Sequence, residues 1–223
     1  MKRMEKVKRC VLFVISLFFI GLGIALTKRG EIGISPVSSV ANVLSLRYTA
    51  LSFGTWTILS NCAFLIGQIL ILRRKFKPVQ FLQIPLFFLC GIFTDFGVWI
   101  THFFHQTSYM TKVLFVLAGC VVLGFGIALG MVADVMLNAP EAFIKTLSFI
   151  TNKDFGAIKV VCDICLVILS AALSAVLFKG KLLGIGEGTL ISAISVGGFV
   201  SVFCRILRKP LMRILKTNGR LQL

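Results

Sequence analysis

Gly21-Leu-Gly-Ile-Ala-Leu26 recurs as Gly124-Phe-Gly-Ile-Ala-Leu129, an offset of 103 in a chain of 223 residues. Two further matches keep the order: Ser35-Pro36 is echoed by Ala139-Pro140 at offset 104, and Phe53-Gly54 by Phe155-Gly156 at offset 102. A short glycine motif recurs by chance in an apolar chain, but three ordered matches at nearly constant offset predict a duplication. Each half reads as a long helix, a short helix opened by proline, and two more long helices. The first repeat covers 11–101 and the second 112–207, with the break near His102–Thr111. A basic tail, 208–223, completes a single membrane domain.

Composition says what solvent these helices meet. With 57% hydrophobic and 14% charged residues, the chain has too little polar surface to cover a soluble globule. A bilayer core needs about 20 apolar helical residues, and such stretches fall at Val11–Thr27, Gly54–Leu72, Phe81–Thr101, Val113–Ala133, Ala157–Phe178 and Gly188–Ile206. The first lacks a small-residue cleavage pattern and is read as structure rather than as a signal peptide. The expected fold is therefore all-α and integral to the membrane, with six transmembrane helices and two short helices.

The net charge of +16 would suggest nucleic acid in a soluble domain; here its distribution reads as topology. With a cytoplasmic N-terminus, 18 Lys and Arg fall on the inner side and 6 on the outer, as the positive-inside rule requires. The inner set includes Arg73, Arg74, Lys75 and Lys77 and the basic residues from Arg205 onward. The expected location is the plasma membrane with both termini cytoplasmic, and the expected contacts of the basic segments are anionic lipids rather than nucleic acid.

The short segments Pro36–Leu46 and Pro140–Ile150 reach roughly 16 Å as helices, half a bilayer. If they crossed, the Arg73–Lys77 cluster would move outside and the charge rule would fail. Three crossings per half remain, so the halves enter from opposite sides as two inverted-topology repeats, an arrangement typical of secondary transporters. Whether the short helices are re-entrant or lie at the interfaces stays open at this level.

An ionisable group at mid-span costs about 2.5–3.5 kcal/mol on insertion scales and usually faces protein or water. Asp163 is the first such candidate. Gly156, Lys159, Asp163, Ser170 and Ser174 form one polar stripe at helical spacing. Subtracting the repeat offset of 102 from Lys159, Asp163 and Ser170 gives Thr57, Asn61 and Gln68, all polar, so two equivalent faces are expected to meet near a pseudo-two-fold axis. The competing reading makes these residues interhelical hydrogen-bond glue, with Lys159 paired to Asp163. Asp95 is a second carboxylate candidate; Asp134 and Glu187 lie nearer helix ends. Ser35 is an N-cap before a first-turn proline, and with Asn138 at the matching place it marks a locally positive helix start suited to an anionic part of a solute.

Other motifs carry less. Six of the seven cysteines fall within apolar stretches, where cysteine is a small hydrophobe; Cys162 and Cys165 form a CxxC spacing without the second pair or histidine that zinc or redox chemistry needs. His102 and His105 read as interfacial polar residues beside Tyr109. Gly184, Gly186 and Gly188 precede no GKS/T and read as a helix-entry turn. No metal or cofactor is expected.

In arrangement the chain resembles the YczE/YyaS/YitT group of small bacterial membrane proteins across roughly 11–207. The likeness rests on the two glycine entries, the proline after each, Asp95 and Asp163 within helices, and the turn Gly184-Ile-Gly-Glu-Gly-Thr189; Glu141 and Glu187 depart from the group's pattern. The resemblance implies a bacterial multi-pass protein suspected of transport, and supplies no substrate.

The expected function is a small secondary transporter or exporter working by alternating access around Asn61, Gln68, Asp95, Lys159, Asp163 and Ser170, moving an unidentified small solute, with an anionic one in view. With no nucleotide motif, energy would come from an ion gradient or a partner. The alternative is a solute-binding subunit or scaffold acting with a partner protein, or a homo-oligomer. An intramembrane enzyme is disfavoured because no nucleophile and base converge at one depth.

Overall fold

The computed structural model describes residues 3–76, 78–104 and 108–214, and every regular element among them is helical. Lys77, His105 and the tail from 215 onward lie outside the described residues. The helices are α1 (Arg3–Arg29), α2 (Pro36–Arg47), α3 (Phe53–Leu72), α4 (Gln83–Thr101), α5 (Tyr109–Ala133), α6 (Ala139–Thr151), α7 (Phe155–Leu177) and α8 (Glu187–Ile214). Six of them are long and apolar enough to cross a membrane, all but α2 and α6. The chain is thus a multi-pass membrane protein, in the long–short–long–long order read twice from the sequence. Arg208, where the basic tail begins, still belongs to α8.

The spine of the bundle is the antiparallel pair α1 and α5. Small residues let the two backbones close together. A Cβ added to Gly23 would lie 2.5 Å from the Leu123 nitrogen, and one added to Gly126 would lie 2.7 Å from the Ile20 nitrogen. These two contacts interchange under the 103-residue offset, because Gly23 maps to Gly126 and Ile20 to Leu123. At one end of the pair, buried Arg9 donates from Nη1 to the Ala133 carbonyl at 2.9 Å, a cation at a helix C-terminus. Asp134 then ends α5 in the left-handed region at φ 51°.

α4 packs along α1, and α8 along α5. The short helices cross between halves: α2 lies against α7, and α6 against α3. α2 buries Pro36, Ser38, Ser39, Ala41, Asn42 and Val43. Its outer loops are pinned to the turn before α8, where the Gly188 N–H donates to the Ile32 carbonyl at 2.9 Å and Asn42 Nδ2 to the Gly184 carbonyl at 3.0 Å. Gly33, in the loop before α2, permits this close approach, with φ at +124° and no room for a Cβ beside Thr189 Oγ1 at 2.6 Å.

Polar residues dominate the buried face of α7, which is Ile158, Asp163, Ser170 and Ser174. Its apolar side chains, among them Val160, Ile164, Ile168 and Val176, are exposed. In a lipid solvent that distribution follows directly: groups needing hydrogen-bond partners turn inward, and hydrocarbon turns to hydrocarbon.

Candidate functional site

A cavity of about 90 Å³ lies at the middle of the α1–α5 pair. Phe13, Leu17, Ile20 and Ile24 of α1 form one wall and Leu123 and Ile127 of α5 another. Both short helices begin on it, α2 through Ser35 and Pro36 and α6 through Asn138, Ala139 and Pro140. Their starts are therefore embedded in the bundle. Neither Ser35 nor Asn138 makes a side-chain cap to its own helix.

The polar groups of the cavity come from α2, α3, α4, α6, α7 and α8. Lys159 Nζ sits 3.2 Å from Asp163 Oδ2, one turn apart on α7. Asp163 is 8% exposed, and its other oxygen, Oδ1, has no hydrogen-bond partner. Glu141, in the first turn of α6, is partly buried with Oε2 sealed from solvent and likewise unpartnered. Burial pushes the Glu141 carboxyl above its ordinary range, while Lys159, close enough to act on it, pulls the other way. Gln83, at the start of α4, is 2% exposed with Oε1 unpartnered. Ser38, Thr57, Ser60, Asn61 and Ser192 complete the polar lining.

Of the residues expected from the sequence, Asn61, Lys159, Asp163, Thr57, Ser35 and Asn138 are brought together on this cavity. Four are placed elsewhere. Gln68 is fully buried and donates from Nε2 to the Ala139 carbonyl at 3.2 Å, holding the start of α6 from behind. Ser170 is buried and bonds the Val167 carbonyl within its own helix at 3.0 Å. Asp95 accepts from the Gly54 N–H and Ser52 Oγ, each at 2.6 Å, and so fastens the start of α3 to α4. Glu187 accepts from the Tyr109 hydroxyl away from the cavity.

The polar lining residues not expected from the sequence are Ser38, Ser60, Ser192, Gln83 and Glu141, and the last two bear most on the chemistry. Glu141 read only as a departure from a family pattern; its signal was a carboxylate just after the proline of a helix whose start the repeat places near the axis. Gln83 sits at a predicted span boundary, where a polar residue is ordinary, and nothing local marks it. A second concavity, of about 360 Å³, opens at the end of the bundle where α1 finishes, and includes Lys28, Arg29, Asn42 and His102. Arg29 is committed there to the His102 and Phe104 carbonyls that close α4. Among the described residues no cluster of His, Cys, Asp and Glu could hold a metal ion.

No curated protein and no solved structure matches the chain. One family model does, over residues 7–205, nearly the whole bundle from α1 through most of α8. By that match the chain belongs to DUF6198, a family of unknown function.

Proposed function

We propose that this protein is a small secondary transporter or exporter in which two inverted repeats rock about the central cavity. The observation that carries the reading is the meeting, at the middle of an apolar bundle, of two embedded helix starts with Lys159, Asp163 and Glu141. Half-helix starts and ionisable groups at mid-membrane are what a carrier needs to strip water from a solute and hold it. The antiparallel α1–α5 pair, with its interchanging Gly23 and Gly126 contacts, supports the inverted repeat. The inward excess of Lys and Arg supports cytoplasmic termini in a plasma membrane, and the glycine entries support kinship with YczE-type proteins.

The test is a thermal-stability screen of detergent-purified protein against small metabolites, with Asp163→Asn alongside, followed by uptake of any hit into proteoliposomes. Bound ligand stabilises the native state by mass action, by about 2.7 kcal/mol at 100 times Kd. A hit that stabilises wild type but not the folded variant, and is carried into vesicles, is the expected result. Equal stabilisation of both, or binding without uptake under every imposed ion gradient, overturns it.

A solute-binding subunit is the second reading, and one observation favours it: α7 and α8 scarcely touch, leaving a seam of apolar side chains to lipid or to another chain. A protein of defined stoichiometry that co-purifies and is needed for uptake would establish that reading.

A further inference from the structure

We propose that the cavity takes a small zwitterion with an apolar side group, a solute of amino-acid type. This deepens the transporter reading and rests on its assignment of the cavity as the solute site.

Three acceptor oxygens on this one cavity have no partner: Asp163 Oδ1, Glu141 Oε2 and Gln83 Oε1. Buried acceptors left unpaired are costly and are normally satisfied by a donor. Lys159 does not fill that role for Asp163 Oδ1, since its ammonium is placed on Oδ2 at 3.2 Å. A ligand ammonium supplies up to three N–H donors, the number these oxygens ask for.

The positive partner on the same lining is the start of α2. Ser35 does not cap it, its first turn holds no acid, and Pro36 leads it. A helix N-terminus carries about half a positive charge and receives carboxylates through its free N–H groups. α6 differs, because Glu141 sits in its first turn and offsets the same potential. The lining therefore combines a helix start poor in negative charge with residues rich in unpaired acceptors. Two carboxylates are balanced by Lys159 and two helix starts, so a ligand of zero net charge but separated poles matches better than an anion or a cation.

The rest of the lining is apolar, with Leu17, Ile20, Phe87 and Val196 among its side chains. At about 30 Å³ per water in the liquid, a cavity of about 90 Å³ holds roughly three waters, which favours a small solute.

The test uses the full chain in detergent, without any transport step, and measures binding by calorimetry. Five probes are compared: alanine, valine, leucine, 3-methylbutylamine, which lacks the carboxylate of leucine, and 4-methylpentanoate, which lacks its amine. The expected result is binding of at least one amino acid, with the amine and the acid each at least tenfold weaker than leucine or valine. Glu141→Gln and Gln83→Glu, each first shown to be folded by its elution profile, should change amino-acid affinity at least fivefold while wild type serves as the reference. Binding of the amine as tightly as the amino acid overturns the zwitterion in favour of a cation; equal binding of the acid overturns it in favour of an anion. Absence of binding by all three amino acids also overturns it. Binding with no uptake into vesicles would sink the transporter reading and leave the zwitterion site standing.

Discussion

α3 lies tightly along α4 in the first half of the chain; in the second, α7 and α8 occupy the same places in the order of helices and scarcely meet. A Cβ added to Gly54 would fall on the Gly91 carbonyl oxygen, and one added to Gly91 would lie 2.5 Å from Ile58. The second half is open at the corresponding places: Gly156, the counterpart of Gly54, would meet only Asp154 Oδ2, at 3.0 Å, and Gly197, which stands where the repeat offset of 102 puts the counterpart of Asp95, nothing within 4 Å. What differs is the position of one carboxylate. Asp95 reaches from α4 to the Gly54 N–H, whereas Asp154 is the N-cap of α7 itself and accepts from the Gly156 N–H at 2.8 Å. The first is a clamp between helices and the second a local cap, so one pair is tied and the other is free to part. On the proposed transporter reading, the second pair is the one with room to close.

The largest effect that would test this contrast is steric. Gly54→Leu should overpack the α3–α4 contact and cost about 3 kcal/mol or more, seen as loss of the monodisperse peak in detergent. Gly197→Leu should leave folding within about 0.5 kcal/mol and stop transport. Equal loss of folding in both variants would break the comparison. Next, Asp95→Ala removes a charged acceptor from two donors and should cost about 1.5–3 kcal/mol, read from thermal melting. Asp154→Ala, a cap deletion, should cost about 1 kcal/mol, and a result reversing that order would show that the Asp95 clamp is not what ties the first pair.

The halves also differ at the starts of their short helices, and this gives a subtler effect. Burial holds the Glu141 carboxyl above its ordinary range, so the folded protein keeps a proton that the unfolded chain releases. Stability from this group is present below the ordinary carboxyl range and lost as pH rises from there through the raised value. Glu141→Gln should flatten that part of the melting-temperature profile. A parallel profile in the variant would remove Glu141 as its source.

Much of this arrangement is legible in the sequence, for physical reasons that also set the limit. Span length and apolarity are local quantities, and the bilayer dictates both, so α1, α3, α4, α5, α7 and α8 follow from runs of hydrocarbon. Periodicity gives the face a residue occupies, so the inward stripe of Lys159, Asp163, Ser170 and Ser174 is readable. Periodicity does not give partners. Asp95 and Asp163 look alike as carboxylates within apolar helices, yet one accepts from a backbone N–H 41 positions back and the other keeps an oxygen unpaired. Gln68 and Asn61 lie on similar faces of α3, but depth separates them: Asn61 reaches the cavity and Gln68 the back of α6. Glu141 was hidden because its meaning depends on how far α6 dips into the bundle, which is decided by packing against α3 and not by its own sequence.

The hydrogen bond from Asn42 to the Gly184 carbonyl has a bearing on biosynthesis. Its partners are 142 residues apart, and at about 5–20 residues per second translation separates them by roughly 7–28 s. During that interval α2 has been made but lacks the turn that holds it, and a polar side chain meant for the protein interior has only lipid, headgroups or the insertion machinery to face. The second helix synthesised is thus among the last to be secured. A nascent chain stalled before Gly184 would display an unfinished α2, a feature by which cellular surveillance can tell an incomplete molecule from a finished one.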